Sequence, residues 1–170
     1  MEKQKNSGTR FGNRGEYLVL LQFLLAGMFV LTPPWPDLRG SGPFLATAPA
    51  RWLVLGLCSI AAAVFLFGGI LSIRRYLTPL PYPVDENRLV RSGVYKLVRH
   101  PIYTSMLLAA FGLTVFSASL AHLALSVVIF MFFDSKASKE EAWLTERHPD
   151  YPGYAERTGK FFPRLPRKSS

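Results

Sequence analysis

The chain reads as an all-α integral membrane protein of about four transmembrane helices, ending in a C-terminal helical hairpin with a cytoplasmic C-terminal cap. Three observations predict this. Hydrophobic residues make up 49% of the 170, above the share of an ordinary soluble domain. They are gathered into long blocks without formal charge rather than dispersed. Lys and Arg stand at the edges of those blocks, where a bilayer ends.

The N-terminus places Lys3, Lys5, Arg10 and Arg14 before the apolar run Tyr17 to Leu31. The small residues at 46 to 48 lie too far beyond that run to be a cleavage site, so it is expected to be an uncleaved signal anchor. Only Gln22 interrupts the run, and Pro33, Pro34 and Pro36 stop it, which predicts a short or tilted first span. Trp52 to Ile73 is 22 residues without a charge, and at about 1.5 Å per residue it reaches roughly 33 Å, the thickness of a bilayer core. Cys58, the single cysteine, falls inside this second span as inert packing.

Ile102 to Phe133 is also uncharged but too long for one crossing, so it is expected to be a hairpin reversing at Ser117, Ala118 and Ser119. Residues 120 to 147 hold no Gly or Pro and predict one helix of about 42 Å whose second half projects from the membrane. On that half Phe133, Lys136, Glu140, Leu144 and Arg147 share a face. The tail "HPDYPGYAERTGKFFPRLP" is neither a helical pattern nor a solvated one. Its aromatic density should fold back onto the bundle. The C-terminal segment from Asp134, the N-terminus and residues 74 to 99 carry nearly all the basic charge, which places both termini in the cytoplasm. A single membrane domain over 1–170 follows, with two spans in 17–73 and a core in 74–166.

The net charge of +9 sits at membrane entry points, so anionic lipid headgroups explain it and nucleic acid does not. No metal site is expected: His100, His122 and His148 lack ligand spacing and no cysteine cluster accompanies them. A P-loop, a dinucleotide-binding glycine motif and a nucleophile motif are all missing from the sequence.

Arg88, Arg91, Lys96, Arg99 and His100 crowd the entry to the third apolar block. His100 before Pro101 marks a helix start, and by local pattern alone the cluster is an interfacial anchor with Tyr103 as a belt residue. Glu140 and Glu141 are, by the same local reading, exposed charges with Lys136 one turn away for a surface ion pair. Adjacent helical carboxylates point about 100° apart, so at most one is expected to face any one site.

The joint pattern changes the balance. "SGVYKLVRHPIY", two apolar hairpin arms, "KEEAWL" and "PDYPGYAERTGKFFPRLP" together resemble the isoprenylcysteine carboxyl methyltransferase and phospholipid methyltransferase superfamily of integral membrane enzymes, over roughly residues 74–166. The resemblance implies S-adenosylmethionine bound in a cytoplasm-facing pocket between the loop, the hairpin and the folded-back tail, and a lipid-like or isoprenylated acceptor. It implies that Asn87, Arg88, Leu89, Val90, Tyr95, His100, Pro101, Ile102, Tyr103 and Glu140 line the donor pocket, that Arg99, His100 and Tyr103 are catalytic, and that Lys136 contacts the substrate. Tyr151, Tyr154, Arg157, Phe161, Pro163 and Arg164 match the part of the pattern that closes over the cofactor. Two positions depart from it: Ser105 stands where many relatives have Gly, and Lys136 replaces an Arg, losing the planar fork suited to a carboxylate.

These residue types suit such a donor. Basic side chains and free N–H groups at a helix start hold a carboxylate, a glutamate accepts from ribose hydroxyls or an ammonium, and tyrosine faces pack on adenine or a cation. Methyl transfer needs in-line approach, and orientation and desolvation dominate it. A membrane reductase using NADPH, built on a related helical core, and a non-catalytic membrane scaffold are the two alternatives.

Overall fold

The computed structural model describes residues 16–73 and 89–164. Six helices appear among them: α1 (Glu16–Leu31), α2 (Gly42–Ala46), α3 (Ala48–Ile73), α4 (Pro101–Ser117), α5 (Leu120–Arg147) and α6 (Tyr151–Arg157), with a 3-10 turn at Gly93–Lys96 ahead of α4. The described residues contain no β-strand, and an isolated parallel bridge joins Val98 to Gly159.

Helices α3 and α5 are long and apolar enough to cross a membrane, while α1 and α4 are shorter apolar helices. On α3, Leu53, Leu57, Ile60, Val64, Phe67 and Leu71 are all exposed. Their alternating spacing of four and three residues draws one outward stripe along the whole helix. A soluble monomer rarely exposes so large a contiguous apolar surface, whereas a lipid-facing helix has no reason to hide it.

Packing of α3 on α4 relies on small residues, which let helices approach where lipid supplies no hydrophobic drive between them. A Cβ on Gly69 would come within 3.1 Å of Ile102 and 3.2 Å of Pro101, and one on Gly112 within 2.8 Å of the Cys58 Cβ. Cys58 is therefore a half-buried packing residue, as expected. The hairpin reverses at Ala118, which takes the left-handed conformation (φ 47°), and Ser119 caps α5 by accepting from the His122 N–H. Thr114 Oγ1 ties the two arms, 2.8 Å from Ser126 Oγ and donating to the His122 carbonyl at 3.3 Å.

The connection after α1 closes over this turn. The Trp35 N–H donates to Ser119 Oγ at 3.0 Å and the Leu120 N–H to the Trp35 carbonyl at 2.8 Å. Arg51 is buried in α3, donating to the Phe116 carbonyl at 3.0 Å and the Phe44 carbonyl at 2.6 Å. Those carbonyls belong to the last turn of α4 and to α2, so the guanidinium supplies donors that helix ends lack. Glu140 lies twenty residues along α5 from Leu120, about 30 Å away by helical rise.

Two expectations need correction. The tail is not irregular throughout: Tyr151–Arg157 is a helix, with Pro152 in its first turn, where a missing N–H costs nothing. The second apolar helix begins at Ala48, four residues before the uncharged run, because the buried Arg51 finds partners within the bundle. Helix α2 carried no periodic signal in five residues. Of the expected donor-pocket residues, Asn87 and Arg88 lie outside the described residues.

Candidate functional site

The end of the bundle away from the hairpin turn gathers a polar cluster from three separated segments. The last residues before α4 pair with the tail: the Arg99 N–H donates to the Gly159 carbonyl at 2.8 Å and the His100 N–H to the Lys160 carbonyl at 3.2 Å. Thr104 Oγ1 then donates to the Phe161 carbonyl at 3.1 Å. Only glycine fits at 159, because a Cβ there would meet the Phe162 carbonyl oxygen at 1.7 Å. On α6, the Tyr154 hydroxyl donates to the Tyr95 carbonyl at 2.7 Å. Burial pushes the Tyr154 phenol up to about 12, so it keeps the proton this bond needs.

The α5 carboxylates meet this frame. Arg99 Nε donates to Glu141 Oε1 at 2.8 Å, and its Nη1 donates to the carbonyls of Ala155, at 2.9 Å, and Thr158. One guanidinium thus ties loop, α5 and tail together, using the fork that distinguishes Arg from Lys. His100 sits between the two glutamates, Nε2 at 2.9 Å from Glu141 Oε1 and Nδ1 at 3.5 Å from Glu140 Oε2. Burial alone would lower the imidazole pKa, but the two carboxylates outweigh it and hold the ring above its ordinary value. An imidazolium donates from both nitrogens, which is what flanking acceptors require.

Tyr103 completes the cluster. Its hydroxyl donates to Glu140 Oε2 at 3.1 Å, and its ring stacks on His100 (centroids 5.4 Å apart, planes 4° apart) and on Phe133 (5.0 Å, 28°). The Lys136 ammonium lies 5.2 Å from the Tyr103 ring centroid and donates to Gln22 Oε1 on α1 at 2.6 Å. Behind Phe133 an apolar cavity of 270 Å³ opens between α1, α4 and α5, lined by Leu25, Phe29, Met106, Ala110 and Ile129 among others, with Gln22 at its polar end.

Arg99, His100, Tyr103, Lys136 and Glu140 therefore come together in space. Tyr95, half-buried, joins through its carbonyl, and Leu89 and Val90 are half-buried in the preceding loop. Pro101 is fully buried and, with Ile102, packs on Gly69, so both serve as packing residues at the helix start. Ser105 is buried and satisfies its own hydroxyl on the Ile102 carbonyl at 2.7 Å. Arg157 and Arg164 bond backbone carbonyls within the tail.

Two local readings of the sequence fail here. Lys136 makes no surface ion pair: it is 2% exposed and reaches across to α1. Glu140 and Glu141 do not exclude one another from the site, because an imidazole between their long side chains offers a nitrogen to each. Glu141, Gln22 and the backbone carbonyls of Thr158, Gly159 and Lys160 were the contributors that pattern reading missed. The EE doublet and the lone amide in α1 were their visible signals.

Among the described residues no group of acidic, histidine or cysteine side chains could hold a metal ion. The cluster can do something else. It offers a half-exposed carboxylate at Glu140, a buried Tyr151 hydroxyl with no hydrogen-bond partner, and α4 first-turn N–H groups that the His100 side chain does not cap.

A family model described as isoprenylcysteine carboxyl methyltransferase (ICMT) family matches residues 53–146, more than half of the chain. The chain belongs to the isoprenylcysteine carboxyl methyltransferase family. The match runs from α3 through α5, so it includes both glutamates and the His100–Tyr103 segment, but not α1 or the tail. The chain is 32% identical over 152 residues to the cobalt-zinc-cadmium resistance protein CzcN of Cupriavidus metallidurans, covering 89% of this chain and 63% of that protein. It is also 32% identical over 81 residues to the nickel-cobalt-cadmium resistance protein NccN of Alcaligenes xylosoxydans xylosoxydans, covering 47% of this chain and 38% of that protein. A probable protein-S-isoprenylcysteine O-methyltransferase of rice shows 32% identity over 81 residues, 46% of this chain and 42% of its own length. The chain thus spans less than two thirds of the length of the curated relatives it matches.

Proposed function

We propose that this family member is an integral membrane methyltransferase that takes its methyl group from S-adenosylmethionine and delivers it to a lipid-like, apolar acceptor. In this reading α1, α3, α4 and α5 are four spans of the bacterial inner membrane. The polar cluster and both termini face the cytoplasm, consistent with the basic charge of the N-terminus and of residues 74–99. The observation that carries the reading is a continuous junction: a polar cluster built on Glu140 and Tyr103 stands directly beside an apolar cavity that shares Phe133 and includes Gln22, whose amide oxygen accepts from Lys136. A reaction between a soluble polar donor and a membrane-borne acceptor needs such a meeting of two environments.

The residues present fit the donor. Glu140 is an acceptor for hydroxyl or ammonium donors, Tyr95 supplies an aromatic ring, the unpartnered Tyr151 hydroxyl supplies a further polar contact, and the α4 N-terminus suits a carboxylate. When bound, S-adenosylmethionine supplies an electrophilic methyl group on a sulfonium that leaves as a neutral thioether. The protein's own work is then orientation and exclusion of water. Arg99 and Glu141 fix the His100 ring and the tail, His100 and Tyr103 form the polar wall, and Lys136 faces the acceptor.

The test is a pair of measurements on the purified protein. S-adenosylhomocysteine should raise its thermal midpoint and NADPH should not, and membranes supplied with methyl-deuterated donor should yield a labelled apolar product by mass spectrometry. Stabilisation by NADPH alone would establish the reductase alternative. No response to either compound at millimolar concentration would leave the scaffold alternative.

A further inference from the structure

The hairpin side of the bundle is short for a bilayer. Helix α5 runs uncharged only from Leu120 to Phe133, about 21 Å by helical rise, against roughly 30 Å of hydrocarbon. Asp134 follows, at a level where a lone carboxylate is costly. The tail supplies what that level lacks. Lys160 Nζ donates to Asp134 Oδ1 at 2.5 Å, to the Asp134 carbonyl at 3.0 Å and to Ser138 Oγ at 2.8 Å, and the Phe161 ring meets the Phe130 ring edge-on, centroids 5.9 Å apart. The exposed Trp52, in edge contact with Phe116 of the last turn of α4, marks the opposite boundary. Phe130 lies about 15 Å along α5 from Leu120 at that boundary. The tail therefore comes back to a depth inside the hydrocarbon thickness.

On its outer side this structure is apolar. Val98 and Phe161 are 0% and 4% exposed, while their neighbours Leu97 and Phe162 are 49% and 67% exposed. Cations flank them. Lys96 is exposed, on a turn that Val94 seats against Gly68 of α3, about 24 Å along that helix from Trp52. Arg164 is exposed and gives one nitrogen to the Ala155 and Glu156 carbonyls. An exposed aromatic ring with basic neighbours at this depth has the composition of a headgroup boundary, and added apolar surface there offsets the shortness of the hairpin.

Resting on the membrane-spanning reading above, we propose that residues 159–164 form a membrane-seated foot: Phe162 lies at the acyl-chain boundary of the inner leaflet, Lys96 and Arg164 meet its anionic headgroups, and this seating holds the polar cluster closed. The coupling runs through the main chain. Lys160, whose side chain grips α5, presents its carbonyl to the His100 N–H, and Phe161 presents its carbonyl to the Thr104 hydroxyl. A foot lifted out of lipid withdraws both acceptors, so closure of the site depends on the bilayer and on its charge.

The test places a nitrobenzoxadiazole label on single cysteines in a Cys58→Ala background, with the full chain in nanodiscs. Phe162→Cys carries the proposal, Leu57→Cys on the outward stripe of α3 reports the hydrocarbon core, and Glu146→Cys, about 39 Å along α5 from Leu120, reports water. The label at 162 should be quenched by 5-doxyl phosphatidylcholine and sheltered from iodide, that at 57 quenched by 12-doxyl phosphatidylcholine, and that at 146 by iodide alone. Iodide quenching at 162 equal to that at 146 would overturn the foot, whatever the label at 57 does. Lipid quenching at 162 but not at 57 would leave the foot standing and end the spanning reading of α3. Coupling to the site is read by hydrogen exchange of the Arg99 and His100 amides. Nanodiscs of equimolar phosphatidylcholine and phosphatidylglycerol should slow it relative to phosphatidylcholine alone, and Lys96→Gln should give back about fivefold of that protection, the scale of one cation at an anionic surface. Phe162→Ser should speed exchange about tenfold, and Phe162→Leu should not. Exchange indifferent to lipid charge, or to Phe162→Ser, would overturn the proposal.

Discussion

Glu141→Gln isolates the clasp that holds the site together. The substitution keeps size and one carbonyl oxygen but removes the charge and turns one acceptor into a donor. Glu141 Oε1 now receives Arg99 Nε at 2.8 Å and faces His100 Nε2 at 2.9 Å, among side chains only 12%, 5% and 20% exposed for Arg99, His100 and Glu141. Hydrogen bonds to charged groups contribute about 1.5–3 kcal/mol each, and breaking a buried pair costs about 3–5 kcal/mol. Because glutamine retains one acceptor and Arg99 and Glu141 are partly exposed, a loss of about 2–3 kcal/mol is expected, less than a full break. For a chain of this size that lowers the thermal midpoint by roughly 4–12 °C. Differential scanning fluorimetry of the detergent-purified protein reads it directly, with Glu146→Gln, an exposed glutamate on the same helix, as the control expected to stay within about 0.5 kcal/mol. The clasp also joins loop to tail, so limited proteolysis should cut the Glu141→Gln tail sooner. A midpoint within about 1 °C of the unaltered protein, with tail protection intact, would refute this account of the cluster.

Glu140→Ala should separate site from scaffold: S-adenosylhomocysteine affinity measured by calorimetry should fall at least about tenfold, with a smaller midpoint loss than Glu141→Gln, and unchanged affinity would remove Glu140 from the donor site. The raised pKa of His100 carries a defined sign. The stability its protonation contributes is complete below the unfolded value near 6.5 and is lost as pH rises through the higher folded value. The thermal midpoint should accordingly fall as pH is taken up through that range, and His100→Gln should flatten this limb of the profile. Gly159→Ala should destabilise the chain by about 2 kcal/mol or more through the collision with the Phe162 carbonyl, read as lost tail protection in hydrogen exchange.

Long-period features of the fold were legible in the sequence because they rest on local rules. Uncharged length announced α3, the Ser117–Ser119 reversal announced the hairpin, and a stretch free of Gly and Pro announced α5 to its last residue. The site was legible in part, since the helical spacing of Phe133, Lys136 and Glu140 placed them on one face, and that face meets Tyr103. Other features depend on contacts distant in the chain. Lys136 looked like a surface charge because its partner is 114 residues away. The start of α3 at Ala48 was hidden because Arg51 serves the Phe116 carbonyl 65 residues on. Glu141 was set aside by a rule about helix geometry that holds for backbone directions but not for two flexible side chains reaching around one ring. The α6 helix was hidden by Pro152 and Gly153, which read as breakers in isolation and are tolerated in a first turn.

The parallel bridge between Val98 and Gly159 has a bearing on biogenesis. Residues 98–104 emerge from the ribosome about sixty residues before the stretch whose carbonyls receive their N–H and hydroxyl groups. During that interval the hairpin helices can pair while the polar cluster still lacks its tail carbonyls. A nascent chain halted short of residue 159 should therefore carry both hairpin helices and lack every tail contact that closes the polar cluster.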